Sequence, residues 1–380
     1  MNLIECVGHI ETKLRSTAAA LLPARAFVAL YSLTRTPYLR ALACYMPRGS
    51  VHSPGAVRQP TIQLFKNRLA FRNDLGNAAG FDKDGSLLEF NYRLGAGFAV
   101  VGTVLSEPHT GNQVRVGFWK VNPWTPLPGS ESAINSLGLP SKGIDSTVKT
   151  IRRFKERVNP KDFPIGVSIM GHPNHSSEEE KLAGIETCVR KALGVADFIE
   201  INESCPNTAH DAGQDAMATR IRRVIELRDN ENRYVPVLVK LADLGDVGYT
   251  VRFLASLGVD GVVIVNTQKN YTELASAISQ SDRRIFDYYT KNFQGGVSGK
   301  AIRDFSFSQA RAAARAVSAQ KLDFVVVHVG GISSPGDMRE SRAINDELES
   351  EVVVLREWYT GLMDAMGTKS WKSVYSYMIQ

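Results

Sequence analysis

Cysteine is scarce. The 380 residues hold four, Cys6, Cys44, Cys188 and Cys205, and no two of them share a Cys-x-x-Cys spacing. This excludes a zinc ribbon or an iron–sulfur cluster, argues against a disulfide framework, and fits a reducing compartment. Long apolar runs are missing too. The stretches Ala18 to Leu22 and Ala26 to Tyr31 are interrupted by Pro23 and Arg25, so neither approaches the ~20 residues that a membrane-spanning helix needs. Between residues 12 and 73 there is no acidic residue, against ten Lys and Arg. A Gly-x-Gly-x-x-Gly segment is absent after the first strand-like run, which removes the usual mark of a dinucleotide-binding open sheet.

The chain is 43% hydrophobic and 22% charged, enough for one large globular domain with an appendage. Its net charge of +6 is carried by the N-terminal part, because residues 74–380 hold 35 basic and 37 acidic groups. Basic, acid-poor pieces bearing Leu, Phe and Tyr read as a membrane-surface helical pair or as an organelle transit segment, with Glu5 and Glu11 counting against the second. A solvated basic arm packed on the main domain is the third reading. Pro54, Pro60 and the Gly, Ser and Pro of residues 47–60 mark a linker, so residues 1–60 form an extension and 61–380 the main domain. Aromatic residues are not interleaved with the basic charges as a nucleic-acid stacking platform requires, which argues against a nucleic-acid partner.

From residue 61 onward strand-like runs alternate with helical ones. Eight strands are predicted: Leu75 to Ala79, Phe98 to Gly102, Ile165 to Ile169, Asp197 to Ile201, Pro236 to Lys240, Gly261 to Val265, Asp323 to His328 and Glu351 to Leu355. Several are near-continuous β-branched runs, as strands buried on both faces should be. Amphipathic helices are predicted between most of them, over Leu87 to Leu94, Glu178 to Leu193, Ala216 to Arg228, Val247 to Leu257 and Phe307 to Ala319, with Trp358 to Met366 after the last. Eight such units in about 300 residues predict an α/β fold of the (β/α)8 TIM-barrel type with an N-terminal helical extension. Ser106 to Pro140 and Gln268 to Lys300 are insertions after strands two and six, and the first is expected to form one wall of a site.

Catalytic groups of such barrels sit at the carboxyl ends of the strands. Strand one ends in Ala78-Ala79-Gly80-Phe81-Asp82-Lys83, small residues beside which a flat ring can approach the backbone, followed by a lysine. Strand four runs into Asn202-Glu203-Ser204-Cys205-Pro206-Asn207, a polar turn that reads either as an ordinary capped loop or as a set of donors and acceptors for a planar heterocycle. Strand five ends in Lys240, whose burial calls for an anionic partner, most simply an anionic cofactor. Gly330-Gly331 after strand seven and Tyr359-Thr360 after strand eight suit a phosphate cradle.

These segments, with Gly102-Thr103, Ile134 to Pro140, Val237 to Lys240, Asn266-Thr267, Gly295 to Lys300 and Val329 to Ser334, resemble dihydroorotate dehydrogenase in order and over about residues 65–365. The resemblance implies FMN as cofactor and oxidation of (S)-dihydroorotate to orotate in pyrimidine synthesis. It also implies roles. Cys205 would be the catalytic base and Lys83 would pair with the substrate carboxylate region. Asn135, Gly138, Leu139, Asn202, Asn207, Asn266 and Thr267 would surround the pyrimidine. Ala79, Gly80, Thr103, Asn135 and Asn202 would line the flavin and Lys240 would face its N1/C2 edge. Gly299, Gly331, Tyr359 and Thr360 would hold its phosphate. No metal is implied.

Two branches of the family are mixed in this chain. The extension and the Ala78 to Lys83 and Gly295 to Lys300 segments resemble a membrane-bound, quinone-reducing branch, whereas Cys205 and the Asn135 to Pro140 loop resemble a soluble one. Ser168 and Ser141 stand where asparagines are usual in the first branch, the Ala209 to Asp215 lid lacks its Leu-Arg, and Arg339 to Glu351 is unusually charged. The acceptor implied is a quinone reached through a membrane surface, with fumarate as the alternative. The location implied is peripheral on a mitochondrial inner or bacterial cytoplasmic membrane, with a cytoplasmic enzyme as the alternative. A related flavin barrel acting on another pyrimidine and a non-catalytic membrane-associated barrel are the competing readings. A 2-hydroxy-acid oxidase would want a His base and Arg clamps, which these strand ends lack.

Overall fold

The structure, a computed structural model, describes residues 3–44, 62–66, 68–203 and 213–380. The predicted 47–60 linker, Cys205 and Asn207 lie outside the described residues. Eight parallel strands close into a barrel: β1 (Leu75–Asp82), β2 (Ala99–Val104), β3 (Ile165–Ile169), β4 (Phe198–Asn202), β5 (Val237–Leu241), β6 (Gly261–Ile264), β7 (Val325–Val329) and β8 (Val353–Trp358). Each pairs with its neighbours in chain order and β8 returns to β1. The predicted TIM barrel and all eight strands are present. Differences are confined to strand ends; Trp358, predicted to open a helix, is instead the buried last residue of β8.

Helices α1 (Leu3–Leu21) and α2 (Ala24–Cys44) precede the barrel. Around it lie α3 (Leu88–Leu94), α4 (Ile144–Val158), α5 (Glu178–Leu193), α6 (Gln214–Asp229), α7 (Val247–Ser256), α8 (Tyr271–Ala277), α9 (Arg283–Phe293), α10 (Arg303–Ala319), α11 (Pro335–Ala343), α12 (Thr360–Thr368) and α13 (Val374–Ile379). Local chemistry sets several starts. Ser177 and Glu180 form a reciprocal capping box at α5, and Ser334 with Asp337 does the same at α11. The insertions fold as well: strands Trp124–Leu127, Ser132–Asn135 and Gly296–Gly299 form one antiparallel sheet joining both.

The barrel is plugged at its amino end. Phe71, from a hairpin of Ile62–Leu64 and Leu69–Phe71, meets Phe98 edge-on at 5.7 Å, and Phe98 meets Phe198 at 6.2 Å. Gly166 leaves the room for Phe198, since a Cβ there would lie 2.3 Å from its ring. Each such phenylalanine, buried almost completely, contributes about 2–3 kcal/mol.

Closure of the ring is fastened from outside. Arg356 of β8 reaches Asp74 at 2.9 Å, and Arg342 of α11 takes the same carboxylate with two bonds of 2.7 and 2.8 Å. The charged approach to strand eight is therefore a helix that delivers a counter-ion. Burial pushes the Asp74 carboxyl up, but Arg342 and Arg356 outweigh it and hold the group below its usual range. A depressed folded pKa gives stability that is complete above the unfolded value of about 4 and is lost as pH falls through the folded one. Asp74→Ala should cost about 3–5 kcal/mol in urea unfolding at neutral pH, and the gap to wild type should shrink below about pH 4.

Candidate functional site

At the carboxyl end of the barrel lies a cleft between the strand ends, the insertion sheet and α12. Of the residues predicted for a site, Ala79, Asn135, Lys240, Asn266, Thr267, Gly299, Gly331, Tyr359 and Thr360 line it. Two more join through a carboxamide chain. Asn266 donates to the Asn202 carbonyl at 3.4 Å, and Asn202 donates to the Thr103 hydroxyl at 3.0 Å. That hydroxyl meets Ser168 at 3.1 Å, so the serine that stands in place of an asparagine is tied into the same buried row.

Gly80 has φ 104°, and a Cβ there would meet nothing closer than Tyr359 at 3.7 Å and the Lys83 ammonium at 3.9 Å. The glycine therefore keeps a slot open beside both residues. Gly331 has φ 72° and packs so tightly on Arg303 that a Cβ would lie 2.5 Å from it. At the same end α12 begins, with Thr360 bonded to Ser298 at 2.9 Å and no acidic residue in its first turn. A helix start of this kind brings unsatisfied N–H groups to the cleft and suits an anion such as a phosphate.

Gly138 and Leu139 sit in a different packing environment. Asn112 fills the space beside Gly138, and Leu139 clusters with Leu105 and Met170. Ser141 accepts from the backbone N–H groups of Leu105 and Gly143 and so anchors that loop. Just past β4, Glu203 is gripped by Arg220 of α6 with bonds of 3.0 and 2.5 Å, which fixes the end of the strand.

Lys240 corrects one expectation. Its ammonium lies 3.4 Å from Glu357 and 3.8 Å from Glu200, so the anionic partner comes from the protein itself. Both glutamates point into the barrel and are fully buried. Burial lowers the lysine's proton affinity, and the two carboxylates more than restore it. Glu357 is pushed up to about 8, by burial first and by Glu200 in addition, against the pull of Lys240. Neither glutamate is legible as a site residue in sequence: Glu200 is one charge inside an apolar strand, and Glu357 stands beside Arg356 near a strand end.

The N-terminal helices complete the cleft. Arg15 of α1 lines it and donates to Asp364 of α12 at 2.6 Å while holding Glu11 with bonds of 2.8 and 2.7 Å. Tyr31 of α2 donates to Glu11 at 2.6 Å, and Arg35 donates to the Tyr359 hydroxyl at 2.6 Å. The Ser32 hydroxyl bonds both to the N–H and to the carbonyl of Trp124. The extension is thus packed on the barrel through part-buried polar contacts.

A (β/α)8 barrel whose mouth gathers carboxamides, a buried lysine and a helix start is the architecture of a barrel enzyme with its site at the carboxyl ends of the strands. The family model described as dihydroorotate dehydrogenase matches residues 64–343. A dihydroorotate dehydrogenase (quinone) of Stenotrophomonas maltophilia is 31% identical over 81% of this chain and 86% of its own length. One of Aeromonas salmonicida is 29% identical over 74% and 78%. The solved structure of DHODH from Eimeria tenella in complex with ferulenol covers 91% of this chain and 89% of its own, with a TM-score of 0.71 and 19% identity, a likeness of fold. The chain belongs to the dihydroorotate dehydrogenase family of oxidoreductases.

The clamp at Arg15 can be tested directly. Arg15→Ala removes the cation shared by Glu11 and Asp364, whose side chains are 37% and 36% exposed. Discounted for that exposure, the loss should be about 1–2 kcal/mol and should appear as faster hydrogen exchange confined to α1, with the barrel strands unchanged.

Proposed function

We propose that the protein oxidises (S)-dihydroorotate to orotate with bound FMN and passes the electrons to a quinone at a membrane surface. The observation that carries this reading is the meeting at one cleft of three elements: the carboxamides of Asn135 and Asn266, the Gly331–Thr360 helix start and the wall supplied by α1. Membership of the family supports the reaction, and the quinone named for the relatives supports the acceptor. FMN, when bound, supplies a ring atom that accepts hydride. The residues fit such a group: Ala79 and Gly80 leave room for a ring, and Gly299, Gly331, Tyr359 and Thr360 offer an anion site for its phosphate.

The chain's own residues then divide the work. Cys205 takes the C5 proton of the substrate, for which a thiol is better poised than a hydroxyl. Lys83 pairs with the substrate carboxylate. Asn135, Asn202, Asn207, Asn266 and Thr267 match the alternating N–H and C=O groups of the pyrimidine, and Gly138 and Leu139 belong to the loop that follows Asn135. Thr103 orients Asn202, and Lys240 would stabilise negative charge at the N1/C2 edge of the flavin when it is bound.

Helix α1 faces two ways. Arg15 lies on the cleft, while Leu3, Val7, Ile10, Leu14 and Leu21, spaced at helical intervals, are 51–79% exposed. Exposed Phe118 and Trp119 stand on a nearby hairpin that contacts α2. Among the described residues no helix is long and apolar enough to cross a membrane, so the reading is a surface attachment by one apolar helical face in a basic segment.

Two experiments test this. Cys205→Ala should leave the protein yellow while lowering the rate of anaerobic bleaching by dihydroorotate about 10²–10⁴-fold; undiminished bleaching would remove the thiol from the reaction. Replacing Leu3, Val7, Ile10 and Leu14 together by Ser should release the protein from anionic liposomes and slow reduction of a lipid-borne quinone, with bleaching by dihydroorotate intact. Reoxidation by fumarate in place of quinone would overturn the acceptor.

A further inference from the structure

Between Glu107 and Glu131 the first insertion has no acidic residue, and its lysine and arginine are Lys120 and Arg115 alone. The strands Val114–Val116 and Trp119–Val121 pair as a hairpin that sets these two directly opposite each other, and both are exposed. Like charges facing across a strand pair repel, so the pair gains from an anionic surface. The other face has the opposite character: Val114 faces Val121 and Val116 faces Trp119, with Gly117-Phe118 as the turn between them. Gly117 takes φ 60°, as the first residue of such a two-residue turn requires, and a Cβ there would meet nothing within 4 Å. Phe118 is 102% exposed and Trp119 69%. The base of the hairpin, by contrast, is held. Asn122 donates to the carbonyls of Thr110 and Leu137 at 2.9 and 3.0 Å, Ser32 of α2 bonds to Trp124, and α2 packs on both α1 and the strand Trp119–Val121.

Aromatic rings settle at the headgroup level of a bilayer, and basic side chains beside them meet anionic headgroups. Two side chains on a convex turn also offer far less than the surface of about 800 Å² per partner that a stable protein interface buries. We propose that the Val114–Val121 hairpin is a second membrane contact, placing Phe118 and Trp119 among the headgroups of an anionic bilayer with Arg115 and Lys120 against lipid phosphates. The contact has a consequence for orientation. A helix lying on a surface can roll about its own axis, and a second point of attachment, joined to α1 through α2, removes that freedom and fixes which side of the barrel faces the lipid. The inference rests on the surface attachment of α1 and adds to it the lipid class and the orientation.

Full-length protein mixed with phosphatidylcholine vesicles carrying brominated acyl chains, with and without phosphatidylglycerol, tests this. Bromine quenches an indole that enters the bilayer. Wild type should therefore lose tryptophan emission on binding, whereas Trp119→Phe should bind equally and lose little, since Trp358 and Trp371 are buried and Trp124 is half-buried. Phe118→Ser with Trp119→Ser should weaken vesicle binding in cosedimentation about tenfold or more. Arg115→Gln with Lys120→Gln should weaken it about thirtyfold, and only where phosphatidylglycerol is present. Bleaching by dihydroorotate should be unchanged in all three variants. Equal quenching in wild type and Trp119→Phe, or a double variant that binds vesicles as tightly as wild type, would overturn the hairpin contact and leave the attachment through α1 intact. Such a variant that had instead lost self-association would assign the tip to a second copy of the chain. Wild-type protein that binds neither kind of vesicle would overturn the attachment and the hairpin contact together.

Discussion

A ring of strands closed on itself has one dry interior, and every polar group turned inward has to be balanced there. The barrel meets this requirement in layers. Phe71, Phe98 and Phe198 close the amino end, Glu200, Lys240 and Glu357 form a charged cluster further along the strands, and Asn202, Thr103 and Ser168 form a hydrogen-bonded row beside it. Polarity therefore increases toward the mouth. Because strand side chains alternate, β8 sends Glu357 inward and Arg356 outward, and each charge finds its partner on its own side of the wall.

This alternation explains which parts of the chain can be read from sequence. The eight strands are legible because β-branched runs of four to six residues bounded by Gly, Pro and Asp have few other uses. The helix from Glu178 to Leu193 and the strand from Ile165 to Ile169 agree with the structure to the residue. Residues 144–158 and 335–343 were not read as helices. The first follows an insertion, and the second is nine residues long and half charged or small, with an apolar face too slight to register. The carboxamides and lysines of the cleft are visible because they end strands. Glu200 and Glu357 are not, because the meaning of each depends on a lysine 40 or 117 positions away.

The basic N-terminal segment shows how a charge count can mislead about solvation. Arg15 and Arg35 are not free surface charges: one is locked between Glu11 and Asp364, and the other lies on the Tyr359 hydroxyl. The acidic residues that argued against a transit segment are structural as well. Glu11 binds Arg15 and Tyr31, and Glu5 accepts from the backbone of Trp371. With Glu5, Glu11 and Arg15 turned toward the barrel and Lys13 exposed, α1 leaves Leu3, Val7, Ile10 and Leu14 for the outside, the reverse of the usual amphipathic order.

That reversal ties attachment to chemistry. A helix that placed its apolar stripe on the barrel would bury it at no functional gain, and its charges would then face a membrane at a cost in desolvation. Here the polar stripe is satisfied by the barrel and Arg15 forms part of the cleft wall, so the exposed apolar face and the cleft border the same helix. The same residue that clamps the helix also borders the site. Under the surface attachment we propose, position on a membrane and access to the cleft are set by one contact, and loosening it at the Glu11–Arg15–Asp364 junction would disturb both together.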